Sequence, residues 1–570
     1  MKKLFIVIAM ALFSGATFAQ QNVFAHKVRV GETLYSISQM YGVTVNDIKK
    51  ENAGLTDNIM AGQSINVPQS PTGELHYTIQ AGETLYSISK KFGVTSKVIT
   101  DANPGLSATN FKSGTLIVIP RGVYSTADQR KQDIAAPKER TGCKLTHLVA
   151  KKETVYSISK LYNVTQADLI KANPVLKDSK LKKGMTLCIP YPQDERYYTP
   201  SDNEVFSEIA RQKGVKYDRI KVAVILPFGL DRRTSEANKM TDLYKGFLLA
   251  VDSIKDSGAN IDIYAYEEKG SDAASIQGIL DNPEMKEMNL IVGPVRPEHI
   301  DAVAQFAHVN NIVNVIPTST KVNAVNSHKT SFQVNSPQNY TNSFVYEKFL
   351  ELNSGANVVF VNMSDKSDYA DYLWGFKKYL ESKNVSFVSM QFAAIENIAK
   401  HLKKGTRNII IPSASSATAF EQLVNEFNTL NLLDNFQLSL FGYPDWQTFS
   451  DNNEKMLDKY KCSYYTTFFS DEAKQRVANF NYRFRHNFKK AQIASCPKFG
   501  ELGYDIGAFF VGGINNFGGG FMQNVDEVKY TSLQNPFNFV RKNNWSGFEN
   551  TVVMFINYKG NDMIEIQRYE

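Results

Sequence analysis

The chain contains nearly the same short phrase three times: LYSIS at 34–38, LYSIS at 85–89 and VYSIS at 155–159. Each copy leads to an apolar segment that ends in a proline: INVP at 65–68, IVIP at 117–120 and LCIP at 187–190. Repetition of this kind is typical of binding modules, because several weak sites in one chain add up to a higher avidity. The repeat therefore predicts a binding function for this part of the chain.

The signals within each copy follow one order. A short strand leads to GETL or KETV, whose threonine is suited to cap the helix that carries the YSIS segment. A second threonine begins a second helix, and a loop containing a glycine leads into the final apolar strand. The cap positions are Thr33, Thr44, Thr84, Thr95, Thr154 and Thr165. The pattern predicts a small α+β unit with the order β-α-α-β.

This pattern closely resembles the LysM module, over residues 25–68, 76–120 and 143–190. The resemblance implies a domain that binds N-acetylglucosamine in peptidoglycan or chitin, in a shallow groove between the strand-to-helix loop and the loop before the last strand. By that resemblance the glycan-binding residues are Gly31, Glu32, Thr33, Leu34, Asn52, Ile59, Gly82, Glu83, Thr84, Leu85, Asn103, Leu106, Glu153, Thr154, Asn173 and Leu176. The implied partner is a peptidoglycan glycan strand.

Two features of the copies bear on how they would bind sugar. The tyrosines of the YSIS segments, Tyr35, Tyr86 and Tyr156, suit sugar stacking, but so small a unit needs apolar bulk, and we expect at least part of this set to fill the core. In the third copy Lys152 replaces the glycine of the first loop. Lysine lacks the conformational freedom of glycine, which counts against sugar binding by this copy.

The first 19 residues have the features of a secretory signal. Lys2 and Lys3 precede an apolar run over 4–13, and small residues lead to a cleavage site after Ala19. No later apolar run reaches the length of a membrane span. We therefore expect an exported protein, periplasmic or associated with the cell wall, that does not insert into the membrane after signal removal.

The chain has 4 cysteines, an even number that suits an oxidising compartment. Cys143 and Cys188 lie at the first and last strands of the third copy and are predicted to form a disulfide. Cys462 and Cys496 lie close together in the C-terminal half, either as a second disulfide or as free thiols.

Charge and motifs exclude several classes of function. The formal net charge is only +7, with one lysine-rich patch at Lys177, Lys180, Lys182 and Lys183, so nucleic-acid binding is not expected. The patch is read as a solvated surface, compatible with weak attraction to an anionic wall polymer. The histidines lack metal-binding spacings and no hydrolase set is evident, which predicts no metal, no cofactor and no enzymatic activity.

From about residue 217 apolar strand-like runs alternate with helical stretches. The first series includes 220–228, 261–266, 290–294 and 312–317, and the second includes 357–362, 385–390, 408–412 and 438–444. Such alternation predicts parallel sheets covered by helices, in two similar lobes. The segments 121–142 and 191–216 are predicted linkers, the first of them polar and flexible.

Residues 217–570 resemble the type I periplasmic binding proteins, the family of the branched-chain amino-acid receptors. The segments that carry the resemblance are GFLLAVDSIKDSGANIDIY, LIVGPVRPEHIDAVAQFA and GYDIGAFFVGGI. The fold implied is two-lobed α/β, with a ligand between the lobes, and the matching candidates are Gly293, Thr318, Ser319, Tyr443 and Asp505. A departure is that Val295, Arg296 and Pro297 stand where a hydroxyl residue is expected after the glycine.

These features favour a non-enzymatic, exported, cell-wall-associated binding protein. Its LysM-like modules would bind peptidoglycan, and its two-lobed domain would bind a small molecule or a protein partner in the cleft between the lobes. Two alternatives stay open: a solute receptor of an ABC transporter that binds an amino-acid-like ligand, and a peptidoglycan hydrolase or its regulator.

Overall fold

The computed structural model describes residues 22–71, 74–231, 234–364, 369–561 and 563–569. The predicted signal segment, 1–19, lies outside the described residues. Three small modules come first, and a two-lobed domain follows them. No helix in the described ranges is long and apolar enough to cross a bilayer.

The N-terminal part contains three copies of the predicted β-α-α-β unit, which we name module 1 (22–68), module 2 (75–120) and module 3 (143–190). Its elements are β1 Val23–Lys27, α1 Leu34–Tyr41, α2 Val45–Lys50, β2 Ser64–Pro68, β3 Leu75–Thr78, α3 Leu85–Phe92, α4 Ser96–Ala102, β4 Leu116–Ile119, α5 Ala127–Lys131, β5 Lys138–Glu139, β6 Leu145–Leu148, α6 Val155–Leu161, α7 Gln166–Ala172, α8 Val175–Asp178, β7 Thr186–Ile189, β8 Tyr197–Tyr198 and α9 Asp202–Lys213. In each module the two strands pair antiparallel: β1 with β2, β3 with β4 and β6 with β7.

The predicted caps account for where the helices begin. The Thr33 hydroxyl accepts a hydrogen bond from the Ser36 amide at 3.1 Å, and the Ser36 hydroxyl accepts one from the Thr33 amide at 2.9 Å. The same reciprocal pair is present at Thr84 and at Thr154. Each pair satisfies donors that the first turn of a helix would otherwise leave free.

The YSIS helices bury their isoleucines and not all of their tyrosines. Ile37, Ile88 and Ile158 are each 0% exposed. Tyr35 and Tyr156, however, are 62% and 58% exposed. Tyr86 packs against its module's core, as expected for at least part of this set, whereas Tyr35 and Tyr156 face outward, because residues two apart on a helix lie on nearly opposite faces.

Modules 1 and 2 form one body. The Phe24 ring stacks on His76 of module 2 at 4.9 Å, and Val118 of module 2 belongs to the buried cluster of module 1. Modules of this size can bury little apolar surface alone, so sharing a face adds to the burial of both.

The segment 121–142, predicted to be a flexible linker, packs against module 2. The Asp133 carboxylate accepts hydrogen bonds from the Ser96 amide, at 2.7 Å, and from the Ser96 hydroxyl. Ala135 is 1% exposed. The prediction of a flexible linker is wrong for residues 133–136, because Asp133 bonds to module 2 and Ala135 is buried, whereas residues 126–132 and 137–142 are exposed.

Module 3 is closed by the predicted disulfide. Cys143 and Cys188 are bonded, with their Cα atoms 5.1 Å apart. The second bridge that sequence allowed does not form: Cys462 is buried in the C-terminal domain and Cys496 is exposed, and both are free thiols.

The C-terminal domain has the predicted alternation of strands and helices. Its elements are β9 Ile220–Leu226, α10 Ser235–Lys255, β10 Ile261–Glu267, α11 Ala273–Leu280, β11 Leu290–Val292, α12 Pro297–Asn310, β12 Val313–Ile316, β13 Ser331–Gln333, α13 Gln338–Leu352, β14 Asn357–Asn362, α14 Ala370–Ser382, β15 Phe387–Gln391, β16 Arg407–Pro412, α15 Ala417–Thr429, β17 Gln437–Gly442, α16 Asp451–Lys459, β18 Ser463–Thr466, α17 Gln475–Phe488, α18 Phe499–Ile506, α19 Gly512–Phe517, β19 Phe539–Arg541, β20 Phe548–Asn550, β21 Val553–Gly560 and β22 Met563–Tyr569. A π-helical turn, Gly507–Val511, joins α18 to α19.

Two sheets define the two lobes. Lobe A has the strand order β10-β9-β11-β12-β13-β20-β19, and lobe B has the order β15-β14-β16-β17-β18-β21-β22. The first five strands of each order are parallel and repeat the same doubly wound arrangement, which is the two-lobed α/β architecture expected from the sequence. The chain crosses between the lobes after β13, after β18 and after β20.

The turn between β19 and β20 attaches the C-terminal domain to modules 1 and 2. Trp545 in this turn is 7% exposed and belongs to the buried cluster of module 1, with its ring 5.1 Å from His76. The neighbouring Asn544 carbonyl accepts a hydrogen bond from the Gly105 amide of module 2 at 2.9 Å. His76 therefore lies where both modules and the C-terminal domain meet.

We expect the disulfide to be the main stabiliser of module 3. It closes a loop with a sequence separation of 45 residues, and restricting a loop of that length in the unfolded chain contributes about 4 kcal/mol. The double variant Cys143→Ser/Cys188→Ser should lose amide-exchange protection in module 3. Cys496→Ser is the control and should retain this protection. Equal protection of module 3 in the double variant and in the control would contradict the prediction.

Burial lowers the pKa of His76 to about 4, and the nearby charge of Arg121 adds to the effect. Because the unfolded chain takes up this proton near pH 6.5 and the folded chain does not, the stability of the junction should fall as pH drops from 6.5 to 4, by about 3 kcal/mol in all. Thermal unfolding measured across this window should show His76→Phe to be less acid-sensitive than the parent chain. The exposed-site control His401→Gln should behave like the parent.

Candidate functional site

The two loops that the resemblance assigns to sugar binding share an apolar floor in each module. The first is the strand-to-helix loop and the second is the loop before the last strand. The floor residues are Leu34, Leu55 and Ile59 in module 1, Leu85, Leu106 and Phe111 in module 2, and Val155, Leu176 and Leu181 in module 3. We call the space between the two loops the groove.

The glutamates of the first loops are engaged within their own modules. Glu32 accepts a hydrogen bond from the Arg29 amide at 2.8 Å and lies 2.7 Å from His26 Nε2. Burial raises the pKa of Glu32, but the hydrogen bonds from His26 and the Arg29 amide outweigh it and hold the pKa below its usual value. Glu83 and Glu153 make the corresponding bonds to the Gln80 and Ala150 amides. These carboxylates brace the turn.

The asparagines that begin the second loops are engaged in the same way. Asn173 donates to the Cys188 carbonyl at 2.6 Å and accepts from the Cys188 amide at 2.7 Å. Asn52 and Asn103 make the same pair of bonds to Asn66 and Val118. The asparagines thus hold the last strand to the end of the second helix. With the glutamates and asparagines engaged, the groups left to contact a sugar are backbone groups, the apolar floor and exposed rings.

The groove of module 1 lies against the C-terminal domain on one side. A Cβ added at Gly31 would lie 2.7 Å from the Tyr340 amide nitrogen, so the first loop touches the backbone at the start of α13. A cavity of about 530 Å³ separates the rest of this loop, including Thr33 and Tyr35, from residues around Lys321. The second loop of module 1 is largely exposed.

The groove of module 2 is covered by α9, in the segment predicted to be a second linker. The Asp202 carboxylate accepts a hydrogen bond from the Leu85 amide, at the end of the first loop, at 2.9 Å. Val205 is 1% exposed within the module's core, and the Phe206 ring lies 5.8 Å from the ring of Phe111 in the second loop. The helix therefore contacts both walls of the groove.

Sequence reasoning missed this helix. The segment SDNE at 201–204 is a capping box, with the Ser201 hydroxyl and the Glu204 carboxylate bonded reciprocally, and it precedes the apolar pair at 205–206. That signal predicts a helix, but local sequence contains nothing about which surface the helix covers.

The groove of module 3 is open. Residues 151, 152 and 154 of its first loop, and 174, 175 and 177–180 of its second loop, are exposed. Lys152 adopts φ of 72°, close to the values of 80° and 78° at Gly31 and Gly82, so the loop keeps its shape despite the substitution. Such a conformation costs a non-glycine residue roughly 1–2 kcal/mol. The argument from lysine's restricted freedom therefore does not exclude a groove here.

The candidates for a ligand between the lobes have internal partners. Asp505 is fully buried, and its oxygens accept hydrogen bonds from the amides of Leu533, Gln534 and Asn535 at 2.7–2.9 Å. Tyr443 is 0% exposed and donates to the Pro412 carbonyl. The structure thus gives Asp505 and Tyr443 structural roles within lobes A and B, because their polar groups are bonded and enclosed.

The other three candidates lie in loops that follow strands of lobe A. Gly293 has φ of 107°, and a Cβ there would lie 2.0 Å from the Ile225 carbonyl oxygen, so only glycine fits. The Thr318 carbonyl accepts from the Asn335 side chain, and the Ser319 hydroxyl donates to the Lys321 carbonyl.

The start of α12, where a ligand anion would meet free amides, is occupied by the chain's own carboxylate. Glu268 accepts hydrogen bonds from the amides of Val295 and Arg296, each at 3.0 Å, and lies 2.8 Å from His299 Nδ1. Both side chains of the Glu268–His299 pair are 0% exposed. An acid-bearing ligand would have to displace Glu268 to use this helix terminus.

Comparison with known proteins agrees with the repeat. The family model described as LysM domain matches residues 26–68, 77–120 and 147–190. The chain therefore contains three LysM domains, which are modules 1, 2 and 3.

Among curated proteins, the chain is 28% identical over 186 residues to the "Probable peptidoglycan endopeptidase LytE" of Bacillus subtilis, covering 30% of this chain and 54% of the relative. It is 36% identical over 144 residues to the "Cell wall-binding protein YocH" of the same organism, covering 24% of this chain and 50% of the relative. The chain thus spans about half the length of these relatives.

Among solved structures, an ABC transporter substrate-binding protein from Desulfitobacterium hafniense in complex with Leu matches at 15% identity and a TM-score of 0.37, covering 61% of this chain and 100% of that chain. A branched chain amino acid ABC transporter periplasmic ligand-binding protein from Burkholderia xenovorans matches at 11% identity and a TM-score of 0.42, covering 61% and 94%.

We expect α9 to protect the groove of module 2 through Asp202. Replacing Asp202 with Ala removes the acceptor of the Leu85 amide, so exchange of that amide hydrogen should become faster. The equivalent amide, Val155 of module 3, has no such cover and should be unchanged. Measurement of amide exchange in the two modules checks this; unchanged exchange at Leu85 would contradict the role given to α9.

Proposed function

We propose that this protein is a non-enzymatic, exported, cell-wall-associated binding protein in which module 3 supplies the principal glycan site. The three LysM domains support binding to N-acetylglucosamine-containing peptidoglycan. The observation that carries the choice of module is exposure: both loops of module 3 face solvent, whereas α9 covers the groove of module 2 and α13 limits that of module 1.

The exposed ring of Tyr156 belongs to this site. It lies in the first turn of α6, beside the first loop, and Val175 is 51% exposed on the second loop. An N-acetyl sugar offers an apolar ring face, a methyl group and an amide, which suit an aromatic ring, an apolar floor and exposed backbone groups. Tyr156 is therefore part of the proposed contact surface.

In this proposal the C-terminal domain is the part displayed at the wall, and it binds a small molecule or a protein partner. The engagement of Glu268, Asp505 and Tyr443 within the fold argues against the alternative of an amino-acid receptor, since a free amino acid needs unoccupied polar groups. Stabilisation of the full chain by leucine or another amino acid in a thermal-shift assay would revive that alternative.

The hydrolase alternative draws on relatives with hydrolase names, among them the "Probable peptidoglycan endopeptidase LytE" and an N-acetylmuramoyl-L-alanine amidase. In the part of the chain that the structure describes, no three His, Cys, Asp or Glu side chains converge as metal ligands. Incubation of the full chain with purified peptidoglycan should release no muropeptides, and their release would overturn the non-enzymatic assignment.

Co-sedimentation with purified peptidoglycan tests which module binds. We expect Tyr156→Ala/Val175→Asp to lower the apparent affinity of the full chain about tenfold, because it removes an aromatic contact and places a charge on the second loop. The matched variant Tyr35→Ala in module 1 should have little effect. An equal loss of affinity in the module 3 and module 1 variants would contradict the choice of module 3 as the principal site. If the parent chain failed to co-sediment with peptidoglycan, the proposed function itself would be overturned.

A further inference from the structure

Six lysines surround the groove of module 3, two on the first loop and four on the second, and all are exposed. They are Lys151, Lys152, Lys177, Lys180, Lys182 and Lys183. The ion pairs of this module are made by other groups: His147 with Glu153, Arg196 with Asp168 and Lys144 with Glu195. Among the described residues, no carboxylate lies within ion-pair distance of any of the six ammonium groups.

The other two modules carry no such charge. Between its asparagine and its glycine, the second loop of module 1 has one charged residue, Asp57, which pairs with Lys49 at 2.8 Å. The same loop of module 2 has one lysine, Lys112, whereas that of module 3 has four lysines and one aspartate, Asp178. The positive charge is therefore concentrated on the module with the open groove.

Lys152 adds a structural argument. It occupies a left-handed backbone position, φ 72°, that the other modules fill with Gly31 and Gly82. At the equivalent position of module 2, a Cβ added at Gly82 would meet no atom within 4 Å, so this position carries no packing demand. A glycine in place of Lys152 would therefore relieve the backbone strain without leaving a gap. Backbone strain that packing does not require is typical of a functional position.

A neutral sugar does not need this arrangement. Lysines gathered around one groove repel one another, and a ligand that brings negative charge relieves that repulsion. The apolar floor and the exposed Tyr156 ring call for a sugar face in the groove itself, which an inorganic polyphosphate lacks. The ligand that satisfies both features is a sugar chain with acid groups branching from it.

We propose that the groove of module 3 recognises an N-acetylated glycan that bears carboxylates, and that the surrounding lysines bind those carboxylates. In peptidoglycan such carboxylates are carried by the peptide stems, or by the lactyl group of a sugar from which the stem has been removed. The proposal rests on the proposed function and narrows its ligand: module 3 distinguishes acidic peptidoglycan from a neutral N-acetylglucosamine oligomer, and the lysines supply the difference.

The test uses the full chain with its disulfide intact. Binding is measured to four probes: solubilised peptidoglycan, the same material after its carboxylates are amidated, a neutral N-acetylglucosamine hexamer, and inorganic polyphosphate. The variant Lys177→Gln/Lys180→Gln/Lys182→Gln removes three charges from the second loop without touching strained backbone. Lys400→Gln/Lys403→Gln/Lys404→Gln, three exposed lysines of lobe B, is the matched control.

We expect the module 3 variant to bind acidic peptidoglycan about tenfold more weakly, since each exposed charge contact is small and three are removed. Its binding to the hexamer and to amidated peptidoglycan should equal the parent's, and the loss should shrink at high salt. Lys152→Gly should also weaken binding to acidic peptidoglycan while raising the melting temperature of module 3.

Four results would overturn the proposal. They are equal binding of acidic and amidated peptidoglycan by the parent chain, equal losses in the lobe B control, equal losses toward the neutral hexamer, and tighter binding of polyphosphate than of peptidoglycan. If the parent bound neither peptidoglycan nor the hexamer, the proposed function would fail; if it bound both alike, only this inference would fail.

Discussion

The structure depends on how little apolar surface a module of this size can bury. Chains this short are marginal on their own and need further stabilisation. Each module first uses its polar groups economically: a glutamate braces the first turn and an asparagine joins the second helix to the last strand. These polar side chains form hydrogen bonds with backbone amides and carbonyls and do not face a ligand. A buried backbone group without a partner would lower the free energy of unfolding by more than so small a module can offset.

The three modules obtain their remaining stability in different ways, and this difference decides which groove is open. Module 1 shares a core with module 2 and with Trp545 of the C-terminal domain. Module 2 packs against α9 and the segment around Asp133. Module 3 has a covalent cross-link in place of a covering element. A disulfide stabilises by restricting the unfolded chain and covers little surface, so both loops of module 3 stay exposed.

Much of the fold was predictable because its signals are local. Threonine caps, the spacing of the YSIS isoleucines and apolar strand runs identified all three modules and the two lobes. The candidate site was less predictable. Glu32, Asn52 and Asp505 have the chemistry of ligand contacts, but their partners are backbone groups that burial would otherwise leave unsatisfied, some of them distant in sequence. At least part of the tyrosine set was expected to fill the small cores; Tyr86 does so, whereas the helices turn Tyr35 and Tyr156 outward.

Sequence alone determined the number of modules, their internal order and the doubly wound lobes, since each follows from short-range patterns of capping, periodicity and spacing. The Cys143–Cys188 bridge was predicted because the repeat places the two cysteines at strands that pair. Only the tertiary structure decided that α9 covers module 2, that the turn at Trp545 joins modules 1 and 2 to lobe A, and that Lys152 holds the conformation of a glycine beside an open groove. Those outcomes depend on which surfaces meet, and contacts between residues as far apart as Leu85 and Asp202 leave no local trace in the chain.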